Sequence, residues 1–109
     1  MKKHFTIIIT IFFIAPSVLI AGEFGKLPEV KKLTMGQSKE VASFIEKTAE
    51  CNHFGSEEPY DKQRAQELKK AVEKAGCNKL ETKEKILRDK YKDDKKVLTI
   101  IENAKNMAI

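Results

Sequence analysis

The chain has 109 residues and a mass of 12.4 kDa, with 21 basic and 16 acidic side chains. This length allows one small domain. The 88 residues after position 21 include 35 charged side chains and only 20 large apolar ones (Val, Ile, Leu, Met and Phe). These numbers exclude an extensive core, a multidomain enzyme and a porin-like span, but they allow a small helical domain that a cross-link stabilises.

The N-terminal segment is typical of a secretory signal peptide. It has a basic head of two lysines, an apolar run over residues 5–14, and Pro16 ahead of the small residue Ala21. This order predicts export with cleavage after Ala21, or after Ser17 as a second choice. The alternative is an uncleaved anchor, because the uncharged stretch has 18 residues, close to the minimum for a membrane span. The mature protein is expected in the periplasm or outside the cell.

Export determines how the two cysteines, Cys51 and Cys77, are interpreted. In an oxidising compartment, an even number of cysteines in a small domain favours a disulfide. A Cys/His metal site is the alternative, but His53 is the only histidine after residue 21 and no C-x-x-C pair is present. Cys51 and Cys77 are therefore predicted to be bonded.

The mature chain is predicted to be all-α, with a leader over residues 22–37 and a single helical domain over residues 38–109. No stretch alternates apolar and polar residues as a strand would, and helix-favouring residues dominate. Four short helices are predicted at about 38–51, 60–75, 82–92 and 95–106. A fifth short helix, beginning at Pro28 and bearing Val30 and Leu33, is possible in the leader.

Each predicted helix has an apolar stripe at helical spacing. The stripes are Val41, Phe44, Ile45 and Thr48; Ala65, Leu68, Val72 and Ala75; Ile86, Leu87 and Tyr91; and Val97, Leu98, Ile100, Ile101 and Ala104. Capping residues are predicted at three helix ends. Thr34 with Gln37, or Ser38 alone, caps the start of the first helix, and Asp93 or Asp94 caps the start of the fourth. Gly76 ends the second helix. Glu84 and Arg88 are spaced to form an i,i+4 ion pair.

The connection after Cys51 is the unusual segment. In a tight hairpin, the 16 residues of the second helix would separate the two cysteines by about 24 Å, whereas a disulfide needs Cα atoms within about 7 Å. Residues 52–59 reach about 26 Å when extended. They are therefore predicted to form an ordered strap that runs back along the first helix, so that the second helix lies parallel to the first or crosses it steeply.

The strap and its flanks carry a dense pattern, made of Cys51, His53, Phe54, Glu57, Glu58, Pro59, Tyr60, Asp61, Arg64 and Cys77. In this pattern the chain resembles a loose group of small, exported, uncharacterised bacterial helical proteins. That group shows Cys-x-His-aromatic, then a Gly directly before Glu-Glu-Pro-Tyr-Asp-x-x-Arg, and a second Cys after the next helix. Here Ser56 separates Gly55 from Glu57, which departs from the group. The resemblance implies an exported helical domain with a disulfide and no particular activity.

Two interpretations of the strap are open. In the first, it binds another protein, because aromatic residues and arginine often dominate interfaces and a segment held at both ends loses little entropy on binding. The contact residues would be His53, Phe54, Glu57, Glu58, Tyr60, Asp61 and Arg64. In the second, the two aromatic residues attach the strap to the core, and the acidic residues stabilise the start of the next helix.

Other functions have less support in the sequence. His53, Glu57 and Asp61 are the candidate ligands for a divalent metal, but one histidine among scattered carboxylates does not make a metal-site pattern, so no metal or cofactor is expected. Ser56 beside His53 lacks a third catalytic group, so no catalytic residue is assigned. The charges are interleaved, and export also argues against nucleic-acid binding.

The sequence therefore predicts a small, exported, non-enzymatic protein that binds a protein partner, as an inhibitor or immunity-type module does. This class is an analogy of size and compartment. One alternative is a metal-binding or envelope-stress accessory protein. Another is a basic amphipathic protein of the membrane surface, because the fourth helix is basic at its start; membrane contact is otherwise not expected after signal cleavage.

Cleavage of the signal peptide can be tested directly. N-terminal sequencing of the exported product should begin at or near Gly22, because Ala21 is the small residue that ends the signal-like composition. Recovery of a product that still begins at Met1, in the membrane fraction, would contradict the prediction.

Overall fold

The computed structural model describes residues 23–107. The predicted signal peptide and both predicted cleavage points lie outside the described residues. In the described part, the chain forms five α-helices and two short 3-10 turns, and it contains no strand. The prediction of an all-α fold is confirmed, and the possible fifth helix is present with Pro28 as its first residue.

The elements follow one another with short connections. In chain order they are a first 3-10 turn at Phe24–Lys26, α1 at Pro28–Thr34, α2 at Lys39–Ser56, α3 at Lys62–Ala75, a second 3-10 turn at Cys77–Lys79, α4 at Leu80–Lys90 and α5 at Lys95–Lys105. The predicted starts and ends of α3, α4 and α5 are within two residues of these bounds.

Side-chain caps explain where three of the helices begin. Ser38 Oγ accepts a hydrogen bond from the Val41 backbone N–H at 3.3 Å, and Asp94 Oδ1 accepts one from the Val97 N–H at 3.2 Å. Asp61 does the same at the start of α3. Each cap satisfies a backbone donor that the first helical turn leaves unpaired. Gly76 ends α3 with φ of +71°, a conformation that glycine adopts without steric cost.

α2 is longer than the sequence analysis predicted. The predicted end at Cys51 is wrong, because the helix continues for five more residues to Ser56. The first half of the predicted strap is therefore helical. The continuation places Phe54 against Phe24, with ring centroids 5.7 Å apart in an edge-to-face arrangement. The burial of this ring stabilises the last turn of α2, although Gly55 lies within it.

The longer helix also resolves the spacing of the two cysteines. Past Cys51, α2 extends by about 7 Å, and the loop 57–61 spans up to about 17 Å. Together these distances are long enough to cover the roughly 21 Å length of α3. Cys51 and Cys77 therefore meet with a Cα–Cα distance of 5.7 Å, and the predicted disulfide is confirmed. The chain needs no extended return along α2.

The core forms around α2, which contacts every other helix and both 3-10 turns. Its members come from all five helices and the first turn: Phe24, Val30, Val41, Phe44, Ile45, Ala49, Phe54, Leu68, Leu87, Val97, Ile101 and Ala104. The predicted burial of Ala65 and Ile86 is wrong. α3 packs mainly on α2, so only a narrow stripe of α3 is covered, and Ile86 lies at the edge of the α2–α4 contact.

The segment predicted as a leader belongs to the core. Phe24 is 1% exposed and Val30 is fully buried. The first 3-10 turn lies over the C-terminal half of α2, since Phe24 contacts the rings of His53 and Phe54. Residues 23–37 are thus part of the folded domain and not a separate leader.

Charged side chains hold α4 against α5. Arg88 Nε donates to Glu84 Oε2 at 2.8 Å, and Arg88 Nη2 donates to Glu102 Oε2 at 2.7 Å. Lys105 Nζ donates to the same oxygen of Glu84 at 3.1 Å. Partial burial raises the pKa of Glu84, but the hydrogen bonds and charges of Arg88 and Lys105 outweigh it and hold this pKa below its ordinary value.

Reduction of the disulfide should lower the melting temperature by more than 10 °C. Opening a loop with a sequence separation of 26 residues removes about 3 kcal/mol of stabilisation, and each kcal/mol shifts the midpoint of a small domain by roughly 4–8 °C. Thermal melts with and without a reductant measure the change. The matched control is the variant Cys51→Ala/Cys77→Ala, which should melt at the temperature of the reduced protein; equal melting of the oxidised and reduced forms would contradict the prediction.

Glu84→Gln should make the free energy of unfolding depend less on pH in the acidic range. The pKa of Glu84 is lower in the folded than in the unfolded chain, so its stabilisation is present above the unfolded value of about 4.3 and disappears as the pH falls through the folded value. The difference in free energy of unfolding between pH 7 and pH 3, measured with urea, should shrink by about 0.5–1 kcal/mol. Glu81→Gln is the matched control, because Glu81 is 85% exposed and 3.9 Å from Lys85; an equal effect of both substitutions would contradict a specific role of Glu84.

Candidate functional site: the loop between α2 and α3

The loop 57–61 connects α2 to α3 and is fixed at both ends. At its end, Asp61 Oδ1 accepts a hydrogen bond from the Arg64 backbone N–H at 2.7 Å, which joins the loop to the first turn of α3. Pro59 restricts the backbone in the middle. Behind the loop, the disulfide ties α2 to the chain that follows α3. The loop therefore has little freedom to change its shape.

Arg64 joins the two ends of the loop. Its Nε donates to Glu57 Oε1 at 3.3 Å, and its Nη2 donates to the other oxygen of the same carboxylate. Nη1 donates to Glu67 Oε2 at 3.1 Å. These hydrogen bonds, first to Glu57 and then to Glu67, raise the pKa of Arg64. A two-point contact between guanidinium and carboxylate fixes direction as well as distance, so Glu57 and Arg64 are occupied within the domain.

Tyr60 is presented to solvent on this loop. It is 82% exposed, more than any other large hydrophobic residue that the structure describes; the others are Met35 at 77% and Ile86 at 60%. Its neighbours Glu58 and Pro59 are also exposed. The second interpretation, in which the aromatic residues attach the strap to the core, is therefore wrong for Tyr60, because its ring projects from the domain.

His53 and Phe54 lie on the last turns of α2 and form a cluster with Phe24. The His53 ring centroid is 5.4 Å from that of Phe24 and 5.1 Å from that of Phe54. Phe54 is buried and His53 is half-buried. The cluster attaches the first 3-10 turn to α2, so Phe54 is a core residue, as the second interpretation predicts, and not a partner contact.

The seven predicted contact residues therefore fall into three groups. Two belong to the aromatic cluster, and Glu57, Asp61 and Arg64 build the loop. Glu58 and Tyr60 remain free to meet another molecule. Within residues 23–107, no three His, Cys, Asp or Glu side chains come together as metal ligands would, so His53, Glu57 and Asp61 are not gathered into one site.

The chain segment that contains the loop has a net negative charge, although the whole chain is basic. Residues 57–67 hold four acidic and two basic side chains, whereas the full sequence carries a formal charge of +5. Among these acids, Glu58 has no ion-pair partner within 4 Å in the described part of the chain. A free carboxylate therefore lies two residues from the exposed ring of Tyr60.

The alternative of a membrane-surface protein depends on α5, the helix that is basic at its start. Val97, Ile101 and Ala104 on this helix are buried in the core, so its apolar face is already covered within the domain. No helix in the described range is long and apolar enough to cross a bilayer.

Glu50 is only 3% exposed, and no sequence pattern indicates that this residue is buried. One turn before it, Glu46 lies against Gly25, and one turn after it, Phe54 lies against Phe24. Both contacts place the first 3-10 turn on the face of α2 that carries Glu50. Its Oε2 is 3.4 Å from Lys47 Nζ, while Oε1 has no hydrogen-bond partner among the described residues. Glu50 lies on the face of α2 that packs against a segment more than 20 positions earlier in the chain, and helical periodicity does not report such contacts.

Comparisons with known proteins add no relative to this description. No protein family, curated protein or solved structure matches the chain.

Proposed function

We propose that this is an exported, non-enzymatic protein that binds a protein partner through the loop 57–61, with Tyr60 as the anchor. The observation that carries the proposal is the exposure of Tyr60 on a loop that is fixed at both ends. Covering a solvent-exposed aromatic ring is favourable, because it removes apolar surface from water. A surface tyrosine on a rigid loop is therefore a suitable contact residue.

The rigidity of the loop favours tight binding. Association costs free energy when loops and side chains become ordered, and a loop that is already ordered avoids most of this cost. The contacts of Arg64 with Glu57 and the cap by Asp61 hold the loop before any partner arrives. The binding energy of Tyr60 is then available for affinity, as is typical of tyrosine at the centre of interfaces.

The charge of the loop indicates the kind of partner surface. Tyr60 would enter an apolar depression, and the free carboxylate of Glu58 would lie near the rim of the interface. A lysine or arginine on the partner would complement Glu58 and the acidic excess of residues 57–67. Such complementarity acts mainly on the association rate and on specificity.

The class of an inhibitor or immunity-type module is consistent with these features. A disulfide fits a chain that folds in an oxidising compartment, and the signal-like N-terminus supports export to the periplasm or beyond. A small rigid domain that presents one loop can block or protect a partner without any catalytic group of its own.

The proposal predicts that Tyr60→Ala weakens binding about fivefold or more. The exported protein is immobilised and used to capture partners from the periplasmic fraction of the source organism, and the captured protein is then purified and titrated by calorimetry. Removal of a central tyrosine typically costs more than 1 kcal/mol of binding free energy, and Glu58→Gln should mainly slow association at low salt.

Met35→Ala is the matched control, because Met35 is 77% exposed and lies on a different connection, after α1. It should leave the affinity unchanged. All three variants should keep the melting temperature of the parent, since the substituted side chains are exposed. Equal affinity of Tyr60→Ala and the parent would contradict the proposal.

A further inference from the structure

A second surface feature is a groove between α2 and α4, far along α2 from the loop 57–61. Its volume is about 240 Å³, and it is lined by Glu40, Ser43, Phe44, Lys47, Lys83 and Leu87, with Ile86 at its edge. This is smaller than the roughly 300–1,000 Å³ of a site for a drug-sized ligand. The groove therefore suits a short ligand and not a nucleotide or a large cofactor.

The floor and one wall of the groove are apolar. Phe44 and Leu87 are 4% and 5% exposed and form part of the core, so they give the floor a fixed shape. Ile86 is 60% exposed and stands beside them. A ligand that covered Ile86 and the exposed edge of the floor would remove apolar surface from water, at about 25 cal/mol per Å².

The charged residues that line the groove leave an excess of positive charge. The carboxylate of Glu40 is already occupied, since Lys90 Nζ and Tyr91 OH both donate to its Oε1. These hydrogen bonds, first from Lys90 and then from Tyr91, lower the pKa of Glu40. Lys47 is 3.4 Å from Glu50. Lys83 has no carboxylate within 4 Å among residues 23–107.

We infer that this groove binds an anionic amphiphile, namely a short unbranched alkyl chain that ends in a carboxylate. The alkyl chain would lie over Phe44, Leu87 and Ile86, and the carboxylate would pair with Lys83. The charge decides between ligand classes: with Glu40 neutralised by its own partners, the free charge of the groove is a lysine, which complements an anion and repels an alkylammonium ion. The proposal concerns a small-molecule site and is independent of the loop 57–61.

The first test is a titration of the full exported protein with sodium octanoate, followed by two-dimensional methyl NMR. The Ile86 and Leu87 methyl signals should shift and saturate, while those of Leu68 on α3 should not move. Octanol should bind more weakly than octanoate, and octylamine should bind least. The absence of saturation at millimolar octanoate, or equal affinity for octanoate and octylamine, would overturn the proposal.

Two substitutions separate the contributions of the alkyl chain and the carboxylate. Ile86→Ser should weaken octanoate and octanol alike, by about five- to tenfold. Lys83→Met should weaken octanoate by about two- to fivefold, the range of an exposed ion pair, and should leave octanol unchanged. Both side chains are exposed, so the melting temperatures should equal that of the parent.

Met35→Ser is the matched control for Ile86→Ser, because Met35 is also an exposed large apolar residue but does not line the groove. It should leave the affinity for octanoate unchanged. An equal loss in Met35→Ser and Ile86→Ser would show nonspecific adsorption of the alkyl chain and would overturn the site. Loss of octanol binding in Lys83→Met would likewise overturn the assigned role of Lys83.

Discussion

Every other helical element of residues 23–107 packs against α2, and the burial of its apolar side chains is the constraint on which the remaining structure depends. Val41 and Ile45 near its start are fully buried, and so is Ala49 in the middle. Phe54 on the last turns faces the first 3-10 turn instead. Different sides of α2 are therefore covered at different positions along its length. In this way a domain with few large apolar residues still forms one continuous core.

The C-terminal part of α2 also holds the ends of two other helices, and this makes the exposed loop 57–61 rigid. Cys51 lies near the end of α2 and is bonded to Cys77 just beyond α3, while Asn52 Nδ2 donates to the backbone oxygen of Lys105 at 3.2 Å, near the end of α5. Two successive residues of α2 therefore hold the ends of two other helices. The loop 57–61 projects from this fixed region, and its shape follows from its supports more than from its own contacts with the core.

Helical periodicity and capping residues allowed most of the helices to be predicted, because both are local properties of the sequence. Gly76 and the pair Glu84–Arg88 act within one helix or at its end, and both predictions are confirmed. Ser38, one of two predicted caps for the first helix, is the one that the structure shows. Phe24 and the extension of α2 past Cys51 were not, since they depend on a contact between residues about 30 positions apart. At the candidate site, the sequence indicated that acidic residues stabilise the start of α3, as the cap by Asp61 does, but not that Phe54 is buried while Tyr60 is exposed.

The position of the loop inside the disulfide-closed ring has a topological consequence. Residues 57–61 lie between Cys51 and Cys77, so a peptide bond broken in the loop would not divide the molecule into two pieces. The new ends would stay close together, because the bond between the cysteines, the packing of α3 on α2 and the contact of Arg64 with Glu57 all remain. A nicked form would thus keep both halves of the loop beside each other as one covalent unit, and an attacking protease would meet a cleavage product that does not diffuse away.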